Sequence, residues 1–166
     1  DNYPFSYGGS GAHIRDAYVH HLSQIGKLRM DERSTSSCIV YLNGNYWGIY
    51  GIREKVDDHD FTDYYYDQNK NNTQFIKTWG GTWTEYGAPN AQPDWNNLVN
   101  FITNNSMIIQ ANYNQAKSEL NTGSLIDYFL LNSYVVAADW LNYNTGWWRG
   151  LDPNGDKKKW RYELWD

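Results

Sequence analysis

The sequence predicts an α+β fold, and three observations lead to it. Asn43-Gly44 lies between two β-branched and aromatic runs, 38–42 and 46–52. Asn-Gly there is the strongest short hairpin signal, because both central residues of a type I′ turn need positive φ. Between residues 93 and 138 the apolar residues recur at helical spacing in three separate stretches. The chain then returns to strand-like runs at 145–151 and 159–164, joined by the turn formers Asp152-Pro153-Asn154-Gly155-Asp156.

Taken in order, residues 1–12 are rich in Gly, Ser and Tyr and read as loop. Ser10 is expected to cap a helix running to about Leu28, with Ile14, Tyr18, Leu22 and Ile25 three to four residues apart. Gly26 and the charged stretch 27–33 end it. After the first hairpin, residues 57–72 are acidic and aromatic, with a short helix expected over 61–66. Residues 73–79 read as a strand, and 80–93 as a loop of turn formers. Pro93 opens a helix to about Asn104 with Trp95, Leu98, Val99 and Ile102 on one face. A second helix spans roughly 110–120, carrying Tyr113, Ala116 and Leu120. A third begins at Thr122 or Ser124. Its stretch 125–138 is apolar almost all round, which predicts burial on every side. Residues 139–144 read as a polar loop. In the last run Trp160, Tyr162 and Leu164 alternate with Arg161 and Glu163, as in a half-buried strand. The whole is read as a single domain over 1–166, with a β-rich part at roughly 12–90 and a helical part with the second hairpin at 91–166.

Composition narrows the function. The 166 residues are one domain's worth of chain, long enough to bury a core. A net charge of −5 and a pI near 5.3 argue against general nucleic-acid binding. No apolar run approaches the ~18 residues of a membrane span. One cysteine, Cys38, excludes an intramolecular disulfide and a cysteine-only zinc site, and its strand setting predicts burial as a small hydrophobe. Aromatics make up 17% of the chain and Asn occurs 19 times, a composition common among exported bacterial proteins. An extracellular or cell-surface setting is the expectation. Both ends look cut, so the chain reads as an internal piece of a longer protein.

The residues that could carry chemistry converge on the last 40 positions. Asp139 and Asn144 stand at a D-x4-N spacing, between an apolar helix and a hairpin that leads to Asp166. Protein kinases use that order for a catalytic-loop Asp, a metal-binding Asn and a second metal-binding Asp. Phosphoryl transfer needs a carboxylate to orient the hydroxyl and hard oxygen ligands to hold Mg²⁺ against the phosphates. It also needs a cation over the phosphates, often paired with Glu. Arg53-Glu54-Lys55 follows the first hairpin, and Lys77 lies within the expected strand 73–79. Strand alternation would set Lys77 opposite Ile76, on an exposed face. Asp139 capping a turn, Asn144 satisfying loop backbone and a solvated Arg53-Glu54-Lys55 are the competing structural readings. Adjacent His20 and His21 lack the i, i+4 zinc arrangement. Gly8-Gly9-Ser10-Gly11 lacks the strand and the Gly-Lys-Ser/Thr of a phosphate loop.

Four segments in this order resemble the CotH family of spore-coat-type protein kinases: 41–55 (Asn-Gly-Asn-Tyr-Trp-Gly-Ile-Tyr running on to Arg-Glu-Lys), 124–132, 139–144 and 160–166. The resemblance implies an atypical kinase-like, two-lobed fold, truncated on its C-terminal side. It implies binding of ATP and Mg²⁺ and phosphorylation of protein hydroxyls. By position, Asp139 corresponds to the catalytic Asp, and Asn144 and Asp166 to the metal ligands, which should approach one another closely. Lys77, Lys55, Arg53 and Glu54 are the candidates for nucleotide binding. Two other readings stand beside it. One is a carbohydrate-binding module, for which the nine Trp and fifteen Tyr would form an exposed stacking face. The other is a catalytically inactive kinase-like interaction module.

Overall fold

The computed structural model describes residues 14–56, 59–87, 89–155 and 157–165. Ser10, Gly8-Gly9-Ser10-Gly11 and Asp166 lie outside the described residues. The elements in chain order are α1 (Arg15–Gly26), β1 (Thr35–Leu42), β2 (Asn45–Arg53), α2 (His59–Tyr66), β3 (Thr73–Thr78), β4 (Thr82–Gly87), α3 (Ala91–Asn104), α4 (Gln110–Glu119), α5 (Thr122–Tyr134), β5 (Thr145–Gly150) and β6 (Arg161–Leu164). Helices and two small antiparallel sheets are mixed, and the α+β class holds.

β1 and β2 form a two-stranded antiparallel sheet that turns at Asn43 (φ 51°) and Gly44 (φ 83°). Both residues have the positive φ that the Asn-Gly pair predicts. Most of this hairpin is exposed, including Ile39, Tyr41, Leu42, Tyr46, Trp47, Ile49, Tyr50 and Ile52. No charged residue occurs from Thr35 to Ile52. Cys38 is half-buried there rather than buried.

The second sheet is antiparallel, in the order β4-β3-β5-β6. It takes two strands from each of the two stretches distinguished above. β4 falls in the segment read from sequence as loop. Thr82-Trp83-Thr84-Glu85-Tyr86 does carry β-forming residues, but Gly80-Gly81 before it and Gly87 after it mask them. Because paired residues share a face, the register divides the sheet's side chains into two sets. Ile76, Trp147 and Tyr162 face one side. There Ile76 and Trp147 join Ala91, Leu98, Leu120 and Trp160, with Trp95, Ile102 and Leu125 against them, so α3, α4 and α5 cover this face. Burying such rings stabilises by roughly 1.5–3 kcal/mol each. The opposite face carries Phe75, Trp148 and Arg161 in one row, and Lys77, Gly146 and Glu163 in the next.

Three helix expectations are corrected. In α1, Ile14 before the helix and Tyr18 and Ile25 within it are exposed, while Asp16, His20 and Ser23 are buried. The polar side is buried because it is paired: Arg53 Nη1 donates to Asp16 Oδ2 at 2.6 Å, and Arg33 reaches Oδ1 at 3.4 Å. Of the expected apolar set only Leu22, joined by Val19, packs on Met30, Tyr128, Leu131 and Leu164. α5 stops at Tyr134 and is not buried all round. Tyr128 and Leu131 face inward, while Ile126, Phe129, Leu130 and Tyr134 are exposed. α4 keeps the expected face only at Ala116 and Leu120, with Tyr113 exposed.

Segment 27–34 is fastened to the far end of the chain. Asp31 makes a parallel bridge with Glu163, and Leu164 N donates to Asp31 O at 2.8 Å. Its carboxylate, 2% exposed as a residue, lies 2.7 Å from Arg161 Nε and accepts from Trp148 Nε1 at 2.8 Å and from the Tyr66 hydroxyl. The two buried charges thus neutralise each other beneath the aromatic rings.

Candidate active site

The loop 135–144 leaves α5 with three non-glycine residues at positive φ: Val136 (54°), Leu141 (78°) and Asn144 (54°). Asn tolerates that region, but Val and Leu do so only under constraint from their surroundings. The constraint comes from the end of β3 and the turn after it. Gly80 N donates to Asn142 O at 2.7 Å, Thr78 Oγ1 donates to the same carbonyl at 3.4 Å, and the Trp79 and Tyr143 rings meet edge to face. At the end of this loop Asn144 Nδ2 donates to Asp139 Oδ2 at 3.0 Å. Asp139 is exposed and Asn144 half-buried.

β5 starts directly after Asn144. Thr145 pairs with both Thr78 and Leu164, and Gly146 pairs with both Lys77 and Glu163. One step beyond the Thr145–Leu164 pair, Asn144 and Trp165 are the next residues of the two chains. The sheet therefore brings the Asp139–Asn144 loop, Lys77 and the Trp165 end of the chain to one corner. The expected approach of Asn144 to Asp166 falls outside the described residues.

Lys77 is 1% exposed, which corrects the exposed position that alternation suggested. All six residues of β3 are buried, because β3 is a central strand covered on both faces. The Lys77 ammonium sits 4.2 Å from the centre of the Trp165 ring and 3.9 Å from Glu85 Oε1. Trp83 Nε1 donates to Glu85 Oε2 at 2.7 Å, and the Trp83 and Trp165 rings meet edge to face.

The other candidate cations lie elsewhere. Arg53 is held by Asp16, and Lys55 Nζ lies 3.5 Å from the Tyr86 hydroxyl. Glu54 accepts from Ser34 N at 3.2 Å and from the Tyr65 hydroxyl, whose pKa that bond pushes up to about 12. Arg53-Glu54-Lys55 thus ties the base of the first hairpin to α1, α2 and β4. The link from this cluster to the corner is Arg33, which donates to the Trp165 carbonyl and also meets Asp16. Arg33 N donates to His20 Nδ1 at 3.0 Å and Arg33 Nε to His20 Nε2 at 3.2 Å, and that ring edge lies 3.2 Å from Asp16 Oδ1. Burial pushes the Asp16 carboxyl up, but the His20 hydrogen bond and the Arg33 and Arg53 charges outweigh it and hold the group below its ordinary value. Glu32 is shifted the other way: burial raises it, and the neighbouring Asp31 charge adds to the rise, against the Ser23 hydrogen bond at 2.8 Å.

A family model described as CotH kinase protein matches residues 10–166. The chain belongs to the CotH kinase family. The α+β architecture is accordingly that of a kinase-like domain. No curated protein matches the chain. Among the described residues no helix is long and apolar enough to cross a membrane, and no group of three or more His, Cys, Asp or Glu is arranged to hold a metal ion. For a CotH kinase domain the second point is compatible with magnesium. Mg²⁺ keeps several waters and takes one or two carboxylates plus the phosphates of its nucleotide. The amide oxygen of Asn144 is a hard donor, oriented by the N–H bond to Asp139 Oδ2, and fits that demand. Glu85, Glu163, Trp83 and Arg33 were not singled out from sequence as site residues. The strand register and a β4 that reads as loop bring Glu85, Glu163 and Trp83 to this corner, and segment 27–34, laid beside β6, brings Arg33.

Proposed function

We propose that the chain is a protein kinase domain that transfers the γ-phosphoryl group of ATP, as its Mg²⁺ complex, to protein hydroxyl groups. The observation that carries this reading, within a family-wide match, is the Asp139–Asn144 hydrogen bond at the edge of the strand that pairs with Lys77. Asp139, exposed at the rim, accepts the proton of the substrate hydroxyl or orients it. The Asn144 amide oxygen and Asp166 hold the metal, which supplies neutralisation of the phosphate charge when bound. Lys77 is the cation for the phosphates, being the candidate in register with the loop's exit strand. Arg53, Glu54 and Lys55 support the domain around it rather than the nucleotide.

The aromatic content supports this reading over a sugar-stacking face. Trp147, Trp148 and Trp160 are core residues, and Trp95 packs against that core. The Asn- and aromatic-rich composition supports an extracellular or cell-surface setting for the protein that carries the domain.

The deciding experiment pairs calorimetry of ATP·Mg²⁺ binding with transfer of labelled γ-phosphate to a mixed protein acceptor. Saturable binding that needs Mg²⁺ and is lost in Asn144→Ala is expected. Absence of nucleotide binding by the folded wild-type chain would overturn the proposal.

A further inference from the structure

Four residues form one row across the second sheet. Trp83 pairs with Lys77, Lys77 with Gly146, and Gly146 with Glu163. Directly paired residues project to the same side, so Lys77 and Glu163 flank a position that has no side chain. The space above Gly146 is filled all the same. A Cβ placed there would run into Oε1, Cγ and Cδ of Glu163. The Glu163 side chain therefore lies along the row, over Gly146, on the side toward Lys77. Glu163 is 0% exposed and Lys77 1%. A carboxylate and an ammonium buried this deeply on one face of a sheet cost several kcal/mol each unless they meet opposite charge.

The second carboxylate arrives by a different device. Phe75 pairs with Tyr86 but Ile76 pairs with Thr84, which leaves Glu85 as the extra residue of a β-bulge. Bulges re-aim the inserted side chain and recur beside active sites. Here the bulge turns Glu85 to Lys77 at 3.9 Å, and the Trp83 indole fixes its other oxygen at 2.7 Å. Trp165, two residues beyond Glu163, closes the assembly with its ring over the ammonium.

We propose that Glu85 and Glu163 are positioning residues for the Lys77 ammonium, Glu85 as its ion-pair partner at 3.9 Å and Glu163 as a buried charge laid beside it over Gly146. This rests on the proposed function for its purpose: the two carboxylates keep the lysine at the sheet's corner, beside the loop that ends in Asn144. Its structural content is tested separately.

The test uses the whole chain labelled with ¹⁵N at lysine Nζ. The Lys77 ammonium signal is identified by its loss in Lys77→Arg, and Lys70, in the exposed turn after α2, serves as the internal control. Glu163→Gln and Glu85→Gln should each move the Lys77 signal and speed its proton exchange while leaving that of Lys70 unchanged. Gly146→Ala, which displaces Glu163 without changing a charge, should move it in the same sense as Glu163→Gln. A Glu163 that merely stabilised the sheet would lower the melting temperature and leave the Lys77 signal where it was. A Lys77 signal unmoved by Glu85→Gln at the partly exposed edge strand, and unmoved by whichever of the other two variants folds, overturns the proposal. In the transfer assay Glu163→Gln should raise KM for ATP·Mg²⁺ about tenfold, the loss of one charge-assisted contact, with a smaller effect on kcat. Movement of the Lys77 signal in a chain that binds no nucleotide would uphold the positioning role and defeat the kinase reading instead.

Discussion

Asn144 gives its side-chain N–H to Asp139 Oδ2 across 3.0 Å. That bond orients the amide, so the Asn144 carbonyl oxygen is turned away from the carboxylate. One residue of the pair offers a proton acceptor and the other a neutral oxygen ligand. Neither sits in the hydrophobic core, so both can be changed without dismantling the fold.

Asp139→Ala is expected to lower phosphate transfer by about 10²–10⁴-fold, the usual contribution of a positioned proton acceptor. Asp139 is exposed, and the melting temperature should stay within about 2 °C of wild type. Transfer of labelled phosphate and a thermal melt on the same preparation check both halves.

Asp31→Ala should be the most damaging single carboxylate change. It leaves Arg161 buried without its 2.7 Å counter-ion and strips acceptors from Trp148 and the Tyr66 hydroxyl. Breaking a buried pair in this way costs about 3–5 kcal/mol. Urea unfolding followed by tryptophan fluorescence should show the midpoint falling accordingly. Tyr66→Phe, which removes one bond only, should cost about 1 kcal/mol.

Two carboxylates pull the acid stability profile in opposite directions. Asp16 has a folded pKa below its unfolded value of 3.8, so its stabilisation is complete above that value and is lost as pH falls through the folded pKa. Glu32 has a folded pKa above its unfolded 4.5, so it favours folding below 4.5 and the benefit disappears as pH rises through the folded value. Asp16→Asn should flatten the low-pH fall in stability. Glu32→Gln keeps a hydrogen-bonding partner for Ser23 and should raise stability at neutral pH relative to its effect in acid. Urea midpoints collected across the acid range distinguish the two.

Ile49 is 71% exposed on an uncharged hairpin. Ile49→Lys should change stability by no more than about 0.5 kcal/mol and reduce concentration-dependent light scattering, because a charge on an open strand discourages edge-to-edge pairing. Unchanged scattering would show that the hairpin is not where copies adhere.

The features visible in the sequence were those set by neighbours in the chain. The Asn43-Gly44 turn, the hairpin ending near Leu164 and the helix begun near Pro93 all follow from local chemistry. What was not visible was set by distant partners. Lys77 looked exposed because alternation assumes one wet face, and nothing near it announces that β5 and β4 flank β3 on both sides. The inward face of α1 is hidden from the sequence because Asp16 is made buriable by Arg33 and Arg53, 17 and 37 residues away. Within the candidate site, the D-x4-N spacing picked out Asp139 and Asn144. Glu85 needed a bulge in an unforeseen strand, and Glu163 needed the register that sets it beside Gly146.

The backbone tie between Asp31 and Leu164 has a kinetic side. It closes a loop of more than 130 residues, and β6 supplies the strand against which segment 27–34 is laid. α1 and the residues that follow it therefore have no permanent seat until position 164 has been made. During synthesis the uncharged hairpin and the Val19 and Leu22 side of α1 must wait in the open while every helix after them is completed. Such long-range closure makes for slow folding and leaves partly folded chains prone to association. A ribosome-stalled chain ending before Arg161 should leave α1 open to protease, and extension past Leu164 should protect it.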